Sequence, residues 1–226
     1  MIQKFNIDDI ACDLVKYGDA AKIAYMIYPG VEPLPASWIQ QTAVSFDVSI
    51  AVLYVPGDQW DNYLTPWPAP GETKNSNPFL GQATEFLQRL KNEIIPEVEK
   101  RLGMSVEPER NLIGVSLSGL FTLWQWLLGQ TFKSIACLSG SFWYPGFIDW
   151  FMKQPLTGKE GQAFFLLGKK EPGAWLKEYR SVGKNTEAIV DRLKLSGIAT
   201  DFVWVPGDHF ADPLGRAHLA FQALFS

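Results

Sequence analysis

Apolar residues recur along this chain at two spacings that alternate from end to end. Short, nearly unbroken apolar runs read as strands buried on both faces. They predict strands around residues 2–5, 9–16, 22–28 and 49–55, and four more starting near Asn111, Ser134, Gln162 and Thr200. Helical spacing fills the intervals. Residues 33–43 form one predicted helix. Residues 78–102 form a longer one, with Phe79, Ala83, Phe86, Leu87, Leu90, Ile94, Val98 and Leu102 on one face. Pro96 lies inside that pattern and is expected to kink or divide the helix, because proline removes a backbone donor and crowds the preceding turn. Residues 58–77, rich in Pro, Trp and Gly, are predicted as a long loop. About eight strands joined by crossover helices imply an α/β fold, a mostly parallel central sheet covered on both faces. No repeat, low-complexity tract or linker interrupts it, so residues 1–226 are expected to form a single domain without an inserted cap.

On this framework one stretch carries chemistry. Gly114-Val115-Ser116-Leu117-Ser118-Gly119 follows the apolar run at Asn111 and precedes the helical pattern from Leu120 to Leu127. A strand, a tight turn of small residues around a serine, then a helix is the context of a nucleophile elbow. The last small position of Gly-x-Ser-x-Gly holds Ser118, with Gly119 directly after it, so the elbow is a variant. A serine hydroxyl is a weak nucleophile at neutral pH and needs a base that a third group orients.

The chain has two histidines, His209 and His218, both beyond Ser116. His209 lies in Pro206-Gly207-Asp208-His209-Phe210, a turn after the last predicted strand, on the sheet edge where α/β enzymes place their chemistry. His218 falls within the final helical pattern and reads as a surface or packed histidine. Glu171 sits in the loop after the penultimate strand, giving the chain order Ser, Glu, His. Asp208, Glu178, Glu187 and Asp191 are second choices for the acid, and a Ser-His dyad remains open. Acyl transfer also needs two backbone N–H groups aimed at the developing oxyanion. Leu117, after the nucleophile, supplies one. The other comes from Gly30 or Val31, since Pro29 has no N–H to give.

These segments, with others in order, resemble the esterase branch of the α/β-hydrolases that holds esterase D, the feruloyl esterase modules and the enterochelin esterases. The elbow followed by Gly119-Leu120-Phe121 is similar to that of the enterochelin-esterase-like members, as is Leu138-Ser139-Gly140-Ser141-Phe142-Trp143-Tyr144 after the next strand. Leu64-Thr65-Pro66-Trp67 resembles the branch's Leu-Thr-Pro segment, with Tyr63 in place of its usual aspartate. Gly207-Asp208-His209-Phe210 resembles its closing Gly-x-His-aromatic motif. The likeness runs from about Lys22 to the end. It implies an α/β-hydrolase fold and a serine carboxylesterase with Ser116 as nucleophile, Glu171 as acid and His209 as base.

Composition narrows the partners. Twenty basic against 24 acidic residues give a net charge of −4 without a basic run, which disfavours nucleic acid and anionic membrane surfaces. The opening residues lack an apolar core of signal-peptide length, and no run is long enough to span a bilayer, so the expected compartment is the cytoplasm. Cys12 and Cys137 read as two buried thiols rather than a disulfide. No Cys/His cluster suggests a metal, and the proposed chemistry needs no cofactor. Fifteen Phe, nine Trp and seven Tyr are many for this length, and Trp60, Trp67 and Trp143 fall in loops on the expected active edge. They predict an aromatic-walled pocket for a soluble, bulky ester: a trilactone siderophore, a hydroxycinnamoyl ester or a thioester. The competing readings are a hydrolase-fold protein that binds without turnover, and an acyltransferase using the same three residues. Oligomeric state is left open.

Overall fold

The computed structural model describes residues 1–18, 21–103 and 107–226. Its strands are β1 (Ile2–Ile7), β2 (Ile10–Val15), β3 (Lys22–Pro29), β4 (Ser49–Val55), β5 (Glu109–Val115), β6 (Ser134–Leu138), β7 (Gln162–Gly168) and β8 (Ala199–Val205). They form one sheet in the order β1-β2-β4-β3-β5-β6-β7-β8. β1 and β2 pair antiparallel, as do β2 and β4, and every other pairing is parallel. The unbroken apolar runs mark the middle of this sheet. Every residue of β4 and of β6 is buried, as expected of strands covered on both faces. Of the edge strands, β1 has only intermediate and exposed positions, and β8 mixes buried, intermediate and exposed ones.

Successive side chains of a strand point to opposite faces, and this divides the core in two. Ile23, Tyr25 and Ile27 of β3 belong to one apolar cluster, with helices α3 (Ala83–Arg89), α4 (Ile95–Leu102), α5 (Leu117–Leu128) and α7 (Val182–Leu195). Ala24 and Met26 belong to the other, with α1 (Ala36–Ser45) and α8 (Pro213–Phe225). Two short helices, α2 (Gly57–Tyr63) and α6 (Phe147–Phe151), lie in connections at the carboxyl ends of strands.

Two expectations change in detail. The region read as a loop over residues 58–77 begins with α2, which starts directly after Pro56. No residue of α2 is buried, so the helix has no apolar stripe and leaves no period in the sequence. The long helix predicted over 78–102 is divided as Pro96 suggested. A π-helical turn, Leu90–Ile94, separates α3 from α4 and ends two residues before the proline, and the wider turn accommodates the ring and its missing donor. Among the described residues no helix is long and apolar enough to cross a membrane. Cys12 and Cys137 are free and buried. Burial pushes the Cys12 thiol up to about 12, which makes it a poor nucleophile near neutral pH.

Candidate active site

Ser116 joins β5 to α5 with φ 57° and ψ −123°, a backbone shape that residues with a Cβ rarely adopt. The crossing of strand and helix that imposes this turn also explains Gly114. A Cβ there would lie 2.2 Å from the Ser118 carbonyl oxygen and 2.4 Å from Thr122 Oγ1. Ser118 is fully buried, yet it satisfies its own hydroxyl. Its Oγ accepts from the Val115 N–H at 2.7 Å and lies 2.8 Å from the carbonyl oxygens of Ile27 and Val115. The serine in place of the usual glycine therefore ties the elbow to β3 without opening it.

Glu171 and His209 meet because their loops leave adjacent parallel strands in the same direction. Backbone bonds lace the two loops together, from Lys169 N–H to the Val205 carbonyl at 2.9 Å and from Lys170 N–H to the Gly207 carbonyl at 3.0 Å. Glu171 is only 6% exposed, and its two oxygens have separate partners. Oε2 accepts from His209 Nδ1 at 2.9 Å. Oε1 accepts from Ser139 Oγ and from the Gly168 N–H, each at 2.7 Å, and from Arg216 Nη1 at 3.3 Å. A Cβ on Gly168 would come within 2.8 Å of Glu171 Oε1 and of Arg216 Nη2, so the cluster can pack only against glycine.

Burial works to raise the Glu171 pKa, but hydrogen bonds from His209, Ser139 and the Gly168 N–H outweigh it and hold the carboxyl below its ordinary value. A carboxyl lowered in the folded state stabilises the protein above its unfolded pKa, about 4.3. That contribution is lost as pH falls through the folded value. Urea unfolding of the wild type is therefore expected to weaken more steeply between about pH 5 and 3 than that of Glu171→Gln. Parallel slopes for the two proteins would remove this contribution.

Ser116, Leu117, Glu171 and His209 all line one cleft of about 530 Å³. Trp60 and Trp143 form part of its wall, and Trp143 tilts against Tyr179 with ring centres 4.4 Å apart. Ser116 Oγ lies 3.4 Å from Ser141 Oγ, and no hydrogen bond joins it to His209 in this resting arrangement. Catalytic hydrogen bonds commonly tighten only when substrate is bound. His218 is elsewhere, exposed on α8 with its ring against Phe46.

Two sequence expectations are corrected. The Gly30 N–H is occupied, donating to the Val55 carbonyl at 2.8 Å, because the strand pairing of β3 with β4 continues one residue past Pro29. Val31, 78% exposed, keeps an N–H beside it that has no partner among the described residues. Trp67 does not line the cleft. Its indole donates to the Pro145 carbonyl at 2.9 Å and its ring packs on Tyr144, Phe147 and Trp150. Trp67 thus pins the connection after β4 to the one after β6. Tyr63, at the position usually aspartate, bonds Asp9 and stacks on Phe86, outside the cleft.

Sequence reasoning missed Arg216, Asp61, Glu72 and Tyr179, and assigned no role to Ser139 or Ser141. The segment that holds these two serines was visible by resemblance; the others carry no local signal.

Known proteins are similar to this chain in sequence and in fold. YbbA of Bacillus subtilis (strain 168), an uncharacterized protein, is 29% identical over 148 residues, covering 65% of this chain and 59% of its own length. In shape the chain is similar to an IroE-like serine hydrolase from Shewanella oneidensis, with a TM-score of 0.80 at 16% identity over 100% of this chain and 80% of that one. It is also similar to the siderophore hydrolase EstB from Aspergillus nidulans, with a TM-score of 0.75 at 16% identity over 99% and 94% of the two chains. Both likenesses show the α/β-hydrolase fold. The family model described as Putative esterase matches residues 34–194, more than half of the chain, and with that match this protein belongs to the Putative esterase family.

Proposed function

We propose that the chain hydrolyses carboxylic esters through Ser116, His209 and Glu171. The observation that carries this reading is the Glu171–His209 hydrogen bond, placed in the same cleft as a serine on a strained strand-to-helix turn. With Nδ1–H held by Glu171 Oε2, the imidazole presents an unprotonated Nε2 to the cleft. His209 Nε2 takes the proton of Ser116 as Oγ bonds to the ester carbonyl carbon. The carbonyl oxygen becomes an oxyanion, facing the N–H groups of Leu117 and Val31. Leu117 is the first residue of α5, so its N–H has no acceptor within the helix. His209 then protonates the leaving alkoxide as its bond to the acyl carbon breaks. Water, deprotonated by the same imidazole, releases the acid and restores Ser116.

The substrate class follows from the wall. Trp60, Trp143 and Tyr179 supply aromatic surface for a bulky or aryl group. Asp61, Glu72 and Asp208 line the same cleft against one cation among the described residues, Lys170, outside the Glu171–His209 pair. Burial, and secondarily the Glu72 charge, raise the Asp61 carboxyl. This rim favours neutral or cationic esters over those carrying a carboxylate. The likeness in shape to a siderophore hydrolase supports a siderophore ester as one substrate to test.

A fluorophosphonate tests the reaction directly, since Ser116 Oγ would displace fluoride from phosphorus and keep a stable adduct. Mass mapping is expected to find the label on Ser116 of the wild type and little or none in His209→Ala. A folded wild-type protein that takes no label on Ser116 would sink the mechanism. An ester panel on the labelled protein's active counterpart then ranks cationic, neutral and carboxylate-bearing substrates.

A further inference from the structure

We propose that Arg216 is a positioning residue, which clamps the Glu171 carboxylate and the backbone of His209 to each other from the side away from the cleft. This rests on the serine-esterase reading above and names a group that neither the elbow nor the family motifs include. Arg216 stands on the first turns of α8 and is 5% exposed. Its Nη1 donates to Ser139 Oγ at 2.8 Å, and lies 3.3 Å from both Glu171 Oε1 and the His209 carbonyl oxygen. Its Nη2 donates to the Asp208 carbonyl. One guanidinium thus touches the end of β6, the loop after β7 and the loop after β8, the three segments whose alignment decides where the imidazole sits.

The division of the carboxylate gives the clamp its meaning. Arg216, Ser139 and the Gly168 N–H all hold Oε1, and among the described residues Oε2 is left to His209. A carboxylate gripped at one oxygen cannot rotate away from the histidine that its other oxygen holds. Two costs are accepted to keep this arrangement. Ser139 has φ 48°, a left-handed conformation unfavourable for a residue with a Cβ. The Arg216 Nε is buried with no hydrogen-bond partner among the described residues, which is expensive for a charged donor. An arginine kept only to fill space would not need either. Lysine cannot replace it, because a single ammonium does not present the planar fork that reaches two side chains and two carbonyls at once.

The test compares wild type, Arg216→Met and Arg216→Lys in ester turnover and in the proton NMR signal of the His209 Nδ1–H. With two histidines in the chain, and His218 exposed, the downfield signal of a ring N–H bonded to a buried carboxylate belongs to His209. Arg216→Met is expected to fold, to lose about 100-fold in kcat with KM changed less than about threefold, and to lose or broaden that signal. Arg216→Lys is expected to keep a weakened signal and lose about tenfold in kcat. Arg216→Met with wild-type kcat and an unchanged signal would overturn the proposal. If Arg216→Met does not fold, Arg216→Lys decides: an unchanged signal and rate overturn the proposal, and a loss in both supports it. Should the wild type hydrolyse no ester, the esterase reading falls, and the signal alone still decides whether Arg216 holds the pair.

Discussion

Replacing Ser116 with alanine is expected to lower kcat for ester hydrolysis by about a million-fold, with KM little changed. The variant keeps the cleft, the oxyanion donors and the Glu171–His209 pair, so it should still bind substrate. What it lacks is the atom that forms the acyl bond in the proposed mechanism. The residual rate then reports what the oxyanion site and substrate binding achieve alone, about 10³–10⁴ over water in enzymes of this type. The same position should also reveal a conflict between stability and activity. At φ 57° and ψ −123° a side chain is strained, at a cost of about 1–3 kcal/mol. Ser116→Gly is therefore expected to be as inactive as the alanine variant yet to unfold a few degrees higher, about 2–4 °C per kcal/mol for a chain of this size. Thermal unfolding of the two variants side by side checks this. A glycine variant no more stable than the alanine one would mean that the elbow is not strained.

His209→Ala is expected to lose about as much as Ser116→Ala, and the double variant to lose no more than either alone. In the proposed mechanism serine and imidazole act as one unit, because without the base the hydroxyl keeps its proton and without the hydroxyl the base has nothing to activate. Glu171→Gln should cost less, about 10⁴-fold, since an amide still occupies the site but favours the wrong imidazole tautomer. The order Ser116 and His209 together, then Glu171, then Arg216, is a graded result that follows the distance of each group from the reacting atoms. Steady-state rates on one activated ester, with each variant's folding checked by circular dichroism, measure it. An Arg216 variant slower than Glu171→Gln would invert the order and locate the main role of the arginine elsewhere.

The parts of this molecule that were legible in the sequence are those written in neighbouring residues. β4 and β6 announce themselves as apolar runs because both of their faces are covered. The elbow is legible because its sharp turn demands small residues at fixed offsets from Ser116. His209 and Glu171 are legible because a parallel sheet gathers the loops after its strands at one edge, whatever the strand order. The placement of β4 between β2 and β3 is a different matter, as it is settled by packing over the whole sheet. The same holds for the site. Gly30 looked like an oxyanion donor until the strand pairing claimed its N–H, which depends on a partner 25 residues away, Val55. Trp67 looked like a pocket wall until its indole found Pro145. Arg216 gave no signal, since an arginine near the start of a helix is usually solvated and only the approach of Ser139, Asp208 and Glu171 makes it internal.

The cleft is assembled from two kinds of parts. Ser116, Glu171 and His209 are anchored directly to strand ends of the buried sheet. Trp60, Asp61, Glu72 and Tyr179 belong to two excursions, residues 57–82 and 174–181, that add surface to the cleft and little to the sheet. On the proposed mechanism, a lineage that exchanged those excursions as cassettes would rewrite which ester is accepted and leave the three proposed catalytic residues in place.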